Sequence, residues 1–369
     1  MSFKGEAVEY RKLRNGKEIS ALGLGSGFLR DAGDDVYGII TKALDAGVNF
    51  METSMYDDSC APAIRHAVRD HGDDMTFLLQ AGLHFPEGQY SATRDPEECR
   101  ESFETELRKY GLDHADLLLF HCVDETADYE NIRSSGLYDM LVEWKEEGRA
   151  DNIGISSHTP AICLRAIDEV EVDCIMFSLN PAYDLIAGED GLVENPERTR
   201  LYTECESRGI GIVAMKPYGG GILMDGETSP YGRAMTPSQC IQYALDRPGV
   251  VSTIPGVGSM GQLDAALGYL DSVPEERDYS FLTGLMPADM SDQCVYCNHC
   301  QPCPQGINVG LVNKYYDLVL AGDALAADHY MNLSLKAGDC VGCGHCSDVC
   351  PFHVDQVARM ADIRDHFGL

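Results

Sequence analysis

The chain has 369 residues, 15 of them cysteine, and a formal net charge of −32 at pH 7. That length can close one large core and one small one. The charge excludes nucleic acid and an anionic bilayer as partners, because both demand a basic surface. An acidic coat keeps a protein soluble and suits a basic patch on a redox partner. The opening residues, Met1-Ser2-Phe3-Lys4-Gly5-Glu6, have no apolar core behind them, and no apolar run reaches the roughly 18 residues of a membrane helix. A cytoplasmic location is therefore expected, where thiols stay reduced.

In chain order, residues 10–20 read as a short hairpin with Asn15-Gly16 as its two-residue turn. Short apolar runs then alternate with amphipathic stretches. The pattern predicts strands at 21–24, 48–52, 77–81, 116–120, 152–155, 174–177, 211–215 and 250–254. It predicts helices at 35–46, 61–70, 96–110, 137–148, 160–167, 197–207, 237–246 and 260–270. Strands alternating with helices make a parallel sheet. Eight such units in about 260 residues fit an α/β fold of the (β/α)8 TIM-barrel type better than an open sheet. In such a barrel the chemistry lies where strands end. Those ends carry Glu52 and Tyr56, residues 80–84 with His84 last, His121, Ser156-Ser157-His158, Asn180, Lys216-Pro217 and Gly256-Val257-Gly258.

A polar connection with two prolines spans 272–289, which divides the chain into a barrel, 1–280, and a mainly helical domain, 281–369. Helices are predicted there at 311–321 and 354–367. Two cysteine runs occupy this domain. The first places Cys294, Cys297, Cys300 and Cys303 each three residues apart, with Pro304 following; the second places Cys340, Cys343, Cys346 and Cys350, with Pro351 following. The second run has the ferredoxin spacing for a 4Fe–4S cluster, and the first differs only in its last gap. In two-cluster proteins the fourth Cys of each run serves the other cluster. Cys294, Cys297, Cys300 and Cys350 are thereby assigned to one cluster, and Cys340, Cys343, Cys346 and Cys303 to a second. Zinc would use two pairs, and disulfides would need an oxidising compartment.

The barrel pattern also contains Gly47-Val-Asn-Phe-Met-Glu-Thr53, Asp116-Leu-Leu-Leu-Phe-His121, Ile153-Gly-Ile-Ser-Ser-His158, Met215-Lys-Pro-Tyr-Gly-Gly-Gly221 and Val251-Ser-Thr-Ile-Pro-Gly256. In this order and on these strand ends, the chain resembles an aldo/keto reductase carrying a C-terminal ferredoxin-type domain. The resemblance implies carbonyl reduction by a nicotinamide through an Asp–Tyr–Lys–His tetrad. Carried over, the proton-donating Tyr falls on Tyr56, the His on His121, the Asp on Glu52 and the Lys on Ala81. A free Tyr titrates near 10 and an adjacent ammonium would lower it. Without that ammonium Tyr56 still donates a hydrogen bond but is a poor base for oxidation, and His84 and Lys216 are the candidate substitutes.

The cofactor-facing positions that the resemblance implies are Ser156, Ser157, Lys216, Gly219, Gly220, Gly256, Gly258 and Ser259. The glycines offer backbone amides to phosphate, although tight turns explain them equally well. The family's Gln beneath the nicotinamide is Met176 here, and no Lys or Arg lies between Arg247 and Arg277 to hold a 2′-phosphate. These losses count against NADP and leave NAD open. Hydride also carries two electrons together, whereas an iron–sulfur cluster passes one. Two functional classes follow. One is an oxidoreductase acting on a small carbonyl or alcohol, with electrons passing through two clusters to a ferredoxin or flavodoxin. The other is a non-catalytic electron carrier or redox sensor on a degenerate reductase barrel.

Overall fold

The computed structural model describes residues 8–53, 59–84, 91–188, 191–285, 294, 296, 300–320, 322–323, 325–350 and 352–369. Tyr56 and Cys297 lie outside the described residues, as does the side chain of His84. The chain divides into two compact units. One comprises Met1–Leu179, Arg200–Pro217 and Ile241–Arg277; the other comprises Asn180–Thr199, Tyr218–Cys240 and Asp278–Leu369.

Eight parallel strands form one sheet: β1 (Leu24–Gly25), β2 (Phe50–Glu52), β3 (Thr76–Ala81), β4 (Ala115–Phe120), β5 (Ala150–Ser157), β6 (Cys174–Ser178), β7 (Gly211–Met215) and β8 (Val250–Ile254). Each pairs with the next in sequence. Parallel bridges Leu22↔Thr253 and Gly25↔Gly256 join the first to the last, so the sheet closes as a barrel. Strands such as β4, Ala-Asp-Leu-Leu-Leu-Phe, are buried at every position. A parallel strand covered on both faces reads as such a continuous apolar run. The inner core packs Leu13, Phe50, Leu78, Leu117, Met176 and Val213 together. Gly154 on β5 is fixed by close approach: a Cβ there would sit 1.7 Å from the Cys174 carbonyl oxygen of β6.

The barrel helices are α1 (Val36–Asp45), α2 (Ala61–His71), α3 (Pro96–Tyr110), α4 (Leu137–Glu146), α5 (Pro160–Glu169), α6 (Pro196–Arg208), α7 (Pro237–Leu245) and α8 (Met260–Asp271). Helix α3 shows why the boundaries fall where they do. Asp95 accepts the Glu97 and Glu98 amides at 2.9 and 3.0 Å, Pro96 opens the first turn, and Gly111 ends the helix at φ 77°. Its buried face, Cys99, Phe103, Leu107 and Tyr110, follows the helical period.

Several elements differ from the sequence expectation. The first hairpin pairs Tyr10–Lys12 with Glu18–Ser20, and Leu13 N–H meets Lys17 C=O at 2.9 Å. Its turn is therefore the three residues Arg14-Asn15-Gly16, with Gly16 at φ 88° as the bulge residue, and not two. Strand β2 starts two residues late, because Val48 N–H closes the preceding helix on Ala43 C=O. Helix Thr126–Ser134 was not expected; it buries only Tyr129 and Ile132, too few for a periodic signal. Two small hairpins, Leu83–His84 with Ser91–Ala92 and Leu185–Gly188 with Gly191–Glu194, are too short to read by alternation.

In the second unit, α9 (Val309–Leu320), α10 (Ala326–Met331) and α11 (Gln356–Phe367) surround a core of Ile307, Val312, Tyr315, Tyr330 and Ile363. Among the described residues, no helix is long and apolar enough to cross a membrane.

Glu106 sits on the buried face of α3 at 4% exposure. Burial, with the Glu52 charge adding to it, pushes its carboxyl up to about 8. Between the ordinary carboxylate range and about 8, the folded chain holds a proton that the unfolded chain has released. Stability therefore falls as pH rises through that window. Glu106→Gln should remove this cost, worth up to about 3 kcal/mol at pH 7. Urea midpoints should show the variant's advantage growing from about pH 5.5 to about pH 8; an advantage independent of pH would contradict this assignment.

Candidate functional site

Four strand ends meet at the barrel mouth through one hydrogen-bonded chain. Ser26, just past β1, donates both its backbone N–H and its hydroxyl to Glu52 Oε2, each at 3.2 Å. Gln80 Nε2 on β3 donates to Glu52 Oε1 at 3.2 Å. The Gln80 Oε1 makes a short contact with Nδ1 of His121, just past β4. Glu52, Gln80 and His121 are all buried. A carboxylate only accepts, so it takes the NH2 end of the amide. The amide oxygen is then left for the imidazole, and Nδ1 must carry the proton. In the neutral ring Nε2 then holds the lone pair.

Side chains alternate along a strand. The residue spanning Glu52 and His121 is therefore Gln80, while its neighbour Ala81, where the family's Lys was placed, is fully buried. The neutral amide keeps two charged-capable groups in register without adding a charge of its own.

The next strand ends are tied by Asp124, which sequence reasoning missed. Its Oδ1 accepts the Ser157 hydroxyl at 3.0 Å and the His158 N–H at 2.5 Å; its Oδ2 meets His158 Nδ1 at 2.9 Å and the Cys122 thiol at 3.4 Å. A carboxylate three residues beyond His121 was the available signal. Ser157 is thus committed to this loop, and Ser156 C=O accepts Val123 N–H at 2.8 Å. Cys122 and Lys216, at φ 47° and 58°, hold left-handed backbone just past β4 and β7. Such strain collects at sites that surrounding structure over-determines.

At the start of α8 the chain's own groups meet the candidate phosphate-binding positions. Gly258 N–H donates to Gln262 Oε1 at 2.6 Å, and the Ser259 hydroxyl accepts Gln262 N–H at 3.3 Å as the helix cap. A Cβ on Gly256 would meet the Phe28 ring at 2.5 Å, and one on Gly258 the Phe28 carbonyl oxygen at 2.9 Å. These glycines make room for Phe28. Met176 is 4% exposed within the barrel core. Gly219 and Gly220, at φ 60° and 73°, belong to the second unit. There Gly220 lines a cavity with Cys294, Tyr296 and Asp317.

In the second unit Cys303, Cys340, Cys343 and Cys346 line one cavity, walled by Pro304, Ile307, Val309, Val357 and Met360. Burial, with Cys340 and Cys343 adding to it, pushes the Cys346 thiol up. Four converging thiols in an apolar cavity fit an iron–sulfur cluster. The Cys340 sulfur also accepts Gly342 N–H at 3.4 Å. Cys294 is half-buried, and burial pushes its thiol up to about 12. Cys300 is buried in the core with Val312 and Met360, and Cys350 is half-buried.

Replacing Gln80 by Leu should leave buried Glu52 short of a donor and His121 without its acceptor, costing about 1–3 kcal/mol. Urea unfolding of the variant checks this, and an unchanged midpoint would mean that the bridge carries no stability.

The family model for the aldo/keto reductase family matches residues 21–240, and that for a 4Fe-4S dicluster domain matches residues 293–355. The L-glyceraldehyde 3-phosphate reductase of Escherichia coli O157:H7 is 21% identical over 278 residues, covering 70% of this chain and 77% of the relative. The D-threo-aldose 1-dehydrogenase of a Pseudomonas species is 29% identical over 134 residues, 36% of this chain and 37% of that one. Among solved structures, an aldo-keto reductase from Bacillus halodurans in its holo form superposes with a TM-score of 0.59 at 20% identity, covering 76% of this chain and 98% of its own. One complexed with NADPH gives 0.55 at 19% identity, covering 76% and 88%. The same enzyme from the silkworm Bombyx mori gives the same values. The family model spans more than half of the residues, and the chain belongs to the aldo/keto reductase family, an oxidoreductase class, with a 4Fe-4S dicluster domain toward its C-terminal end.

Proposed function

We propose that this protein is an iron–sulfur oxidoreductase acting on a small organic carbonyl or alcohol, with residues 1–280 as the catalytic barrel and 281–369 as the electron-transfer domain. The observation that carries the reading is the chain Ser26–Glu52–Gln80–His121, which ends at the barrel mouth on an imidazole of defined tautomer. The relatives named for glyceraldehyde phosphate and aldose chemistry suggest a short sugar-like substrate.

The reading assigns the oxygen side of the reaction. His121 Nε2, its Nδ1 proton held by Gln80, faces the substrate oxygen and accepts its proton when an alcohol is oxidised. In the reverse direction His121 returns that proton to the oxygen, while Tyr56, at the family's proton-donor position, donates a hydrogen bond to the carbonyl oxygen. Glu52 favours positive charge on His121 through the amide. Carbonyl and alcohol differ by two electrons and two protons: the oxygen proton is the one exchanged with His121, and the one on carbon is exchanged with solvent. Two 4Fe–4S clusters, when bound, exchange those electrons one at a time, and a ferredoxin or flavodoxin is the fitting external partner. Cys303, Cys340, Cys343 and Cys346 would hold one cluster, and Cys294, Cys297, Cys300 and Cys350 the other. The occupied amide at Gly258 and the buried Met176 speak against a nicotinamide held in the family's manner, and no step is routed through one. The same two features favour the second reading, a carrier on a barrel that has lost catalysis.

Tyr56→Phe separates the two readings. In anaerobic holoprotein, carbonyl turnover should fall about a hundredfold, the usual size of a lost hydrogen bond to a developing oxyanion; unchanged turnover would remove Tyr56 from the reaction. Cys343→Ser should halve bound iron and sulfide and spare one cluster signal in electron paramagnetic resonance. Retention of full iron content would contradict the assignment of Cys343 as a ligand.

A further inference from the structure

The loops that follow β4 and β5 bring three different metal-ligating groups together. One donor atom from each of Cys122, Asp124 and His158 lies within 4.8 Å of the other two. Asp124 Oδ2 is the hub: the Cys122 sulfur stands 3.4 Å from it and His158 Nδ1 2.9 Å. Zinc bonds of about 2.3 Å to sulfur and about 2.0–2.1 Å to nitrogen and oxygen, set tetrahedrally, place the donor atoms roughly 3.3–3.6 Å apart. The sulfur–oxygen separation already has that spacing. The nitrogen–oxygen separation needs to open by only roughly 0.4 Å.

The surroundings are built as a ligand shell requires. The other carboxylate oxygen, Oδ1, accepts the Ser157 hydroxyl at 3.0 Å and the His158 N–H at 2.5 Å, so the carboxylate is held in orientation from behind. Thr159 donates its hydroxyl to Asp124 C=O and its N–H to the Ser157 hydroxyl, each at 3.0 Å. Val123 N–H donates to Ser156 C=O at 2.8 Å. The two loops are thus tied together by bonds that use none of the three donor atoms. Asp124 and His158 are 8% and 6% exposed, whereas Cys122 is half-buried and leaves a way in. An Asp–His pair that only pinned a loop would have no use for a thiol at the same oxygen.

We infer that Cys122, Asp124 and His158 form a binding site for a divalent zinc ion, with a fourth position open to water or to the oxygen of a small ligand. Thiolate, imidazole and carboxylate are the usual zinc donors, and three protein ligands with one open position is the pattern of a reactive zinc. The mixed sulfur, nitrogen and oxygen set disfavours magnesium and calcium, which take oxygen. Binding moves two protons: the Cys122 thiol proton leaves to solvent, and the His158 ring proton passes from Nδ1 to Nε2. Thiolate and carboxylate then balance the two charges of the ion. All three residues belong to the first unit, and none is among the eight cysteines of the C-terminal runs. The site therefore stands independently of the clusters and of the carbonyl chemistry proposed above.

The test is zinc binding to anaerobic holoprotein with its clusters in place. Metal content after gel filtration gives the stoichiometry, and X-ray absorption at the zinc edge, where iron is silent, gives the ligands. About one zinc per chain is expected, bound by one sulfur at about 2.3 Å and by nitrogen and oxygen at about 2.0–2.1 Å. Cys122→Ala should abolish both the retained zinc and the sulfur shell, with iron content unchanged. Ser157→Ala frees the carboxylate to turn and should weaken zinc binding about tenfold without changing the shell. Failure of the wild type to retain zinc would overturn the inference. So would a shell of nitrogen and oxygen alone, the mark of an adventitious ion only, or a shell of sulfur alone, which would put zinc on the C-terminal cysteines. Full zinc retention by folded Cys122→Ala would equally remove the site.

Discussion

The catalytic end of the barrel depends on how Glu52 is held. A carboxylate at 6% exposure is costly unless donors surround it, and here Ser26 and Gln80 supply three. That requirement dictates the rest. It turns the Gln80 amide so that its oxygen faces His121, which fixes the proton on Nδ1. On the tetrad that the family resemblance implies, Ala81 leaves Tyr56 without a neighbouring ammonium, and the proposed reaction gives the oxygen proton to the imidazole held by Gln80 instead.

The second unit is organised by a similar constraint on a different chemistry. Sulfur ligands need an environment that bears negative charge, and the two cysteine groups find it differently. Cys303, Cys340, Cys343 and Cys346 line an apolar cavity with a backbone N–H at Cys340. Cys294 lies within reach of the Arg359 charge, which lowers the cost of negative charge on its sulfur. A chain carrying −32 overall still places an arginine, paired with Asp317, behind Cys294.

Much of this was legible in the sequence. Strands β7 and β8 and helix α3 match the expected boundaries to the residue, because continuous apolar runs and the Asp95-Pro96…Gly111 punctuation are local signals. The strand-end rule placed Glu52 and His121 at the mouth, since the barrel topology alone decides that. Less legible was anything set by pairing across the fold. The contact of Gln80 with both Glu52 and His121 depends on which way a strand residue faces, and the motif comparison pointed instead to its neighbour, Ala81. Asp124 works through atoms on another strand end, which spacing does not reveal. The glycines at 256 and 258, read as a phosphate cradle, also pack closely against Phe28, a contact that spacing does not reveal. The contacts of Arg359 with Asn313 and Asp317 join two separated helices, with no motif to mark them.

The most direct test of the account is a single-turnover experiment on anaerobic holoprotein. The clusters would be reduced, the reductant removed, and glyceraldehyde added without any nicotinamide while the visible cluster absorbance is followed. The account predicts that the absorbance of the oxidised clusters returns in step with alcohol formation, one product for each pair of electrons. Clusters that stay reduced with glyceraldehyde and with a panel of short carbonyls, while the same protein reduces a ferredoxin, would contradict it and leave an electron carrier on a reductase barrel.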